Sequence, residues 1–272
     1  MNTQIFYFTG TGNSLYVGRK IAEKLGNASL IPMVSLLHEK ETFAVNANVV
    51  GFVFPVYFLR MPDIIKEALD KCSFREDAYF FAAVTSGGDS GNTLFGLNEI
   101  LKTKGSRLNY GIEIPLGDNS IALSTPDQKF HQRLKKVDEI LDRLTKAVKL
   151  KEINNENHIF TKRYSSSFTG NVTYFAMAHY YNFKKQKVDI SRCINCGLCQ
   201  TICPVDNITC KEGEVCMGKQ CKWCFACINY CPNQAISFGR IHPLKETQYH
   251  FPGISAIDIA SQKTFWGRHE II

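Results

Sequence analysis

The chain has 272 residues, of which 44% are hydrophobic, 12% aromatic and 21% charged. That is enough for about two packed domains, and it excludes a disordered, fibrous or low-complexity chain. The formal charge of +7 admits an anionic partner on composition alone, while the eleven cysteines are too sparse for a disulfide scaffold.

The start, Met1-Asn2-Thr3-Gln4-Ile5-Phe6, lacks a basic stretch followed by a small-residue cleavage site. No secretory signal is expected, and the chain is read as cytoplasmic with reduced thiols. Ile5 to Phe8 reads as a strand, Leu15 to Leu25 as a helix and Ser29 to Met33 as a second strand. An uncharged window from Thr42 to Leu59 raises the question of a membrane span, but Asn46, Asn48, Gly51 and Pro55 interrupt it, so a strand and a loop are expected and no membrane. Within it, Val49 to Phe54 is a continuous apolar run, the mark of a strand covered on both faces. Pro62 opens a helix ending near Lys71; Tyr79 to Val84 is the next buried strand, Thr93 to Lys104 a helix and Arg107 to Ile114 a fifth strand. Thr125-Pro126-Asp127 then starts a long helix, with Thr125 as its expected cap, that buries Phe130, Leu134, Val137, Leu141, Leu144 and Val148. Alternating strands and helices predict an α/β domain over residues 1–151, an open doubly wound parallel sheet with its ligand beyond the carboxyl ends of the strands.

The texture changes after Lys151. Residues 152–187 form an aromatic connector that includes Phe160, Tyr164, Phe168, Tyr174, Phe175, Tyr180, Tyr181 and Phe183. It is expected to pack the two halves together, or else to line a substrate pocket. A repeat follows in 188–240, in which Cys193, Cys196, Cys199 and Cys203-Pro204 recur 28 residues later as Cys221, Cys224, Cys227 and Cys231-Pro232. Three thiolates at this spacing wrap one iron–sulfur cube, while the fourth lies too far along and reaches the other. One [4Fe-4S] cluster therefore takes Cys193, Cys196, Cys199 and Cys231, and the second takes Cys221, Cys224, Cys227 and Cys203. Structural zinc needs only four ligands and leaves half of each triplet unexplained. Cys72, Cys210 and Cys216 are read as ordinary buried or free thiols. This segment resembles a bacterial two-cluster ferredoxin, a small α+β domain, which implies one-electron transfer. Residues 241–272 are left as a tail packing on the domains.

Directly after the first strand comes Thr9-Gly10-Thr11-Gly12-Asn13-Ser14. The glycines, the hydroxyls and the amino end of the next helix suit a phosphate, but Leu15 replaces the third glycine of a dinucleotide fingerprint and no Gly-Lys-Ser/Thr ending marks a triphosphate loop. The loop resembles that of flavodoxin, through Thr9, Thr11, Gly12 and Ser14, and the resemblance implies FMN on a flavodoxin-like five-stranded sheet. Two further loops are then expected at its ring: Pro55-Val56-Tyr57-Phe58, where Tyr57 or Phe58 stacks or simply packs in the core, and Thr85-Ser86-Gly87-Gly88-Asp89-Ser90-Gly91-Asn92, which otherwise is only a turn. As a whole the chain resembles the flavodoxin and ferredoxin fusion proteins of anaerobes. Met61-Pro62, Val188-Asp189 and Tyr249-His250-Phe251-Pro252 add to the likeness.

The resemblance also recasts the charge. Eight cluster thiolates, two oxidised cores and the FMN phosphate together bring +7 to roughly +1. Lys129, Arg133, Lys135, Lys136, Arg143, Lys146 and Lys149 on the long helix then read as a solvated face or a docking patch for a redox partner, not as a nucleic-acid site. The function expected is an electron relay between the clusters and FMN, acting as an oxidoreductase on a small-molecule donor or acceptor or as a carrier between redox partner proteins. A third possibility is a scaffold without flavin.

Overall fold

The computed structural model describes residues 2–121, 124–154, 175–176, 179, 186–211 and 213–264. In chain order, the first half contains β1 (Thr3–Tyr7), α1 (Asn13–Leu25), β2 (Ala28–Pro32), α2 (Met33–Leu36), β3 (Phe43–Val45), β4 (Val49–Pro55), α3 (Asp63–Asp70), β5 (Cys72–Phe74), β6 (Tyr79–Ser86), α4 (Thr93–Thr103), β7 (Tyr110–Pro115) and α5 (Asp127–Leu150). The second half contains β8 (Gln186–Val188), α6 (Leu198–Ile202), β9 (Ile208–Lys211), β10 (Glu214–Met217), α7 (Ala226–Asn229), β11 (Ile236–Phe238) and α8 (Ala256–Ala260). Of the aromatic connector, Phe160, Tyr164, Phe168, Tyr174, Tyr180, Tyr181 and Phe183 lie outside the described residues, and Phe175 is exposed.

Five parallel strands form the main sheet in the order β2-β1-β4-β6-β7. With these five strands numbered in chain order this is 2-1-3-4-5, the flavodoxin-like doubly wound order, whose switch point between β1 and β4 opens a crevice at the carboxyl ends of the strands. The reason lies in the apolar runs. Every residue of β6 is buried, as are all of β4 up to Phe54, because helices cover both faces. Phe52 stacks on Phe80 at 6.3 Å and meets Phe74 edge-on at 6.1 Å, and each such ring contributes about 2–3 kcal/mol of burial. Gly51 is required there, because a Cβ would collide with the Phe81 ring.

The long helix follows its predicted stripe: Phe130, Val137, Leu141, Leu144 and Val148 are buried, with Leu134 half-buried. Two expectations fail here. Thr125 does not cap α5; its hydroxyl accepts the Asp118 amide at 2.9 Å, because the preceding loop needs that bond more than a helix end begun by Pro126 does. Arg133 is not solvated; its guanidinium donates to the carbonyls of Gly87 at 2.9 Å and Leu116 at 2.5 Å and pins two loops together.

The second half is built on the repeat. The strands β8 and β11 pair antiparallel, as do β9 and β10, around Ile208, Phe225, Ile228, Ile236 and Phe238. Its backbone obeys the 28-residue offset: Asn195 and Trp223 both have φ 54°, Asp206 and Gln234 both have φ 50°, and Gly197 at 71° corresponds to Phe225 at 57°. Trp223 and Phe225 adopt a left-handed conformation that costs a side-chain-bearing residue about 1–2 kcal/mol. Among the described residues, no helix is long and apolar enough to cross a membrane.

Candidate functional site

Four loops converge beyond the sheet. A cavity of about 50 Å³ is lined by Thr9, Gly10, Thr11, Asn13 and Ser14 after β1, Pro55 and Val56 after β4, Thr85, Ser86 and Gly87 after β6, and Gly117, Asp118 and Asn119 after β7. The last trio is absent from the sequence reading, although the carboxyl end of a fifth strand was a place to look. Within the first loop, the Gly12 amide donates to Thr9 Oγ1 at 2.9 Å and the Ser14 hydroxyl pairs with that of Thr85 at 2.8 Å. Gly12 takes φ 103°, which turns the chain directly into α1. Among the described residues, the amides of Thr11, Asn13, Ser14 and Leu15 make no hydrogen bond, so they can serve an anion at the helix amino end.

The remaining predicted positions divide. Tyr57 and Phe58 lie on a neighbouring cleft of about 220 Å³ with Arg60, Pro62, Asp63, Cys221, Lys222 and Trp223. Asn92 donates its amide to the Leu59 carbonyl at 2.9 Å, and Asp89 accepts from the Gly91 amide at 2.7 Å, so these two shape the third loop instead of lining the cavity. Gly88 faces open space.

The second half and the tail close over this crevice. A Cβ on Gly10 would strike the Cys224 carbonyl and the Tyr57 hydroxyl, so the second cysteine loop sits directly on the loop after β1. Asn119 donates to the Cys224 carbonyl at 3.3 Å, and Asn229 donates to the Asn119 carbonyl at 3.1 Å. From the tail, the Phe251 amide donates to the Thr11 carbonyl at 2.7 Å and its ring stacks on Tyr16 at 4.2 Å. The Tyr249 hydroxyl donates to Asn13 Oδ1 at 2.5 Å, Asn13 Nδ2 donates to the Gly117 carbonyl at 2.8 Å, and Gln262 pairs with both the amide and the carbonyl of Thr9. No local pattern announces such contacts, which join residues from 104 to 253 positions apart.

The eight repeat cysteines divide into two sets of four. Cys193, Cys196, Cys199 and Cys231 line one cavity, and Cys203, Cys221, Cys224 and Cys227 line another. Among the described residues, no three His, Cys, Asp or Glu side chains gather closely enough to hold a single ion. Equivalent amides donate to equivalent sulfurs: Asn207 to Cys203 Sγ and Ala235 to Cys231 Sγ, both at 3.3 Å. Burial pushes the Cys199 thiol up to about 12 and the Cys221 thiol to about 11, and it also raises Cys224 and Cys227. Such thiols stay protonated at neutral pH until a cationic core takes the proton's place. Two apolar cavities walled by four sulfurs each suit a polynuclear core better than a lone tetrahedral ion. Of the other cysteines, Cys72 is buried, Cys210 half-buried and Cys216 exposed.

Two groups have unusual surroundings. Burial raises the Tyr57 phenol well above its ordinary value, with Asn119 opposing, and its hydroxyl has no well-formed hydrogen bond among the described residues. Burial also raises the Asp118 carboxyl, against the Ser120 hydrogen bonds and Arg133, which act to lower it.

A flavodoxin-like α/β domain joined to a duplicated cysteine module therefore defines the class, an electron-transfer protein with an iron–sulfur segment. Residues 187–209 match the family of 4Fe-4S binding domains, and no curated protein matches the sequence. Among solved structures, the chain is similar to a Bacteroides uniformis protein described as a flavoprotein, at 17% identity over 50% of this chain and 98% of that one, with a TM-score of 0.34. An FMN-dependent NADH-azoreductase from Bacillus anthracis aligns at 12% identity over 53% and 100%, with a TM-score of 0.37. A flavodoxin from the domain Archaea aligns at 13% identity over 53% and 99%, with a TM-score of 0.33. The fold assignment itself rests on the strand order.

Proposed function

We propose that the protein is an electron-transfer flavoprotein in which FMN and two [4Fe-4S] clusters exchange electrons within one chain. The observation that carries this reading is the sorting of the eight thiols into two crossed sets, the second of which abuts the loop after β1 through the Cys224 carbonyl on Gly10. When bound, a flavin takes one or two electrons and each cluster takes one, which lets two-electron and one-electron chemistry meet. The chain's own part is to hold and dry these groups. The amides of Thr11, Asn13, Ser14 and Leu15, unbonded among the described residues, would hold the FMN phosphate, and beside it Tyr57 supplies a buried hydroxyl with no well-formed hydrogen bond among the described residues. The tail shields the phosphate end from water: Thr9, Thr11, Asn13 and Ser14 are all at most 8% exposed.

Anaerobic purification tests the reading. About eight irons, about eight sulfides and about one FMN per chain are expected; zinc in place of iron, or a protein without flavin, refutes it. A carrier role between proteins is favoured by one further feature. The cavity of Cys193, Cys196, Cys199 and Cys231 lies at the surface, where Cys196 is exposed and Ile190 and Ile194 stand out at 86% and 60%. Anaerobic reoxidation against a panel of small acceptors and of ferredoxins separates the two roles: reoxidation only by proteins establishes a carrier, and turnover with a small acceptor establishes an oxidoreductase.

A further inference from the structure

Several large residues occupy backbone conformations that suit glycine or asparagine, and two of them meet where the halves join. In the first repeat the left-handed positions are filled by Asn195 and Gly197, which tolerate them; in the second, the same positions carry Trp223 and Phe225. The ring of Phe225 accounts for its own strain, being 4% exposed and edge-on to Phe238 in the core of its half. Trp223 is different. It stays half-buried, and its ring reaches out of the repeat to meet Phe58 edge-on at 6.1 Å.

Phe58 is strained as well. The amides and carbonyls of Tyr57 and Arg60 exchange two hydrogen bonds of 3.1 Å, closing a two-residue turn with Phe58 and Leu59 at φ 53° and 61°. Asn-Gly is the usual filling of such a turn. Strain persists where the surroundings over-determine it, and it gathers at ligand clamps. A cleft of about 220 Å³ is lined by both rings and has Cys221 in its wall, and its Tyr57 and Phe58 follow directly on Pro55 and Val56 of the predicted phosphate cavity. Arg60 and Lys222 also line it, each near a carboxylate, Asp63 at 3.9 Å and Glu67 at 2.5 Å.

We infer that Phe58 and Trp223, ring against ring, form one wall of the flavin ring site, so that the cysteine-rich half supplies part of the FMN pocket and the flavin ring lies against Cys221. This rests on the FMN and cluster reading above and adds Trp223 to it. Van der Waals contact between the ring and a cluster ligand would give the electron its shortest route out of the flavin.

The test replaces Trp223 with the residue of the first repeat. Trp223→Asn relieves the backbone, so iron content and thermal stability should be kept, while the flavin-stripped, cluster-loaded full chain should bind FMN about tenfold more weakly in a fluorescence titration. Trp223→Phe, which keeps a ring, should recover most of the affinity. Should Trp223→Asn fail to fold, Phe58→Leu examines the other ring of the same wall and is expected to weaken FMN likewise. Wild-type affinity in Trp223→Asn, or in Phe58→Leu where that variant stands in, overturns the inference. A wild-type protein without FMN or iron would instead overturn the relay itself, so the two failures are distinguishable.

Discussion

Gln262 is the strongest fastening between the tail and the loop after β1. Its side chain is 1% exposed; Oε1 accepts the Thr9 amide at 2.9 Å, and Nε2 donates to the carbonyls of Thr9 at 3.0 Å and Ile259 at 3.1 Å. Gln262→Ala removes three hydrogen bonds, each worth about 1 kcal/mol net, and strands a donor and an acceptor on Thr9, itself only 2% exposed. A dry site then loses about 3 kcal/mol or somewhat more, which for a unit of this size lowers the melting temperature by about 6–12 °C. Gln262→Met fills the same space without polar groups and separates packing from hydrogen bonding; it should lose nearly as much. The assay is anaerobic urea unfolding and thermal melting of the full-length holoprotein followed by circular dichroism, with FMN affinity alongside, since the same tail shields the phosphate cavity. A loss below about 1 kcal/mol in both variants would refute the argument, because it would mean that water satisfies Thr9 as well as Gln262 does.

Three further outcomes are expected. Crossed ligation predicts that Cys203→Ala and Cys221→Ala lose the same cluster, leaving about four irons and one shared electron paramagnetic resonance spectrum, whereas Cys199→Ala leaves the other cluster; a Cys203→Ala spectrum that matches Cys199→Ala would contradict it. Gly10→Ala places a methyl group against the Cys224 carbonyl, a backbone atom that cannot turn aside, so the variant should lose about 1–3 kcal/mol of stability, melt lower and hold FMN less well; wild-type melting would disprove the close approach. Burial raises the Asp118 carboxyl above its unfolded value, so its ionised form costs stability above that raised pKa and the cost fades as pH falls through it. Asp118→Asn is therefore expected to be the more stable protein at pH 8, with the advantage shrinking on acidification, and to bind FMN more tightly at pH 8 because a negative charge leaves the phosphate cavity; a lower melting temperature at pH 8 would count against this.

Some of this was written plainly in the chain. Continuous apolar runs such as Val49 to Phe54 mark strands covered on both faces whatever surrounds them, and the apolar positions of α5 set its buried stripe. The cysteine spacing is equally local, since a short loop can wrap only so many sulfurs around one core, and the doubled spacing already implies the exchange of Cys203 and Cys231 that the two cavities reproduce. The loop from Thr9 to Ser14 likewise read as a candidate anion site, because glycines before a helix start leave amides without a helical partner.

What only tertiary structure decided is where long-range partners meet. Thr125 looked like a helix cap and serves Asp118 instead; Arg133 looked solvated and binds the carbonyls of Gly87 and Leu116. Gln262 on Thr9, Tyr249 on Asn13 and Trp223 on Phe58 join segments with no common period or motif. Periodicity reports which face of an element is apolar, and spacing reports what neighbours in sequence can hold together; neither encodes which distant surface will cover that face. That choice comes from closing the whole chain on itself, and it sets the cysteine-rich half and the tail over the crevice that the sheet order leaves open.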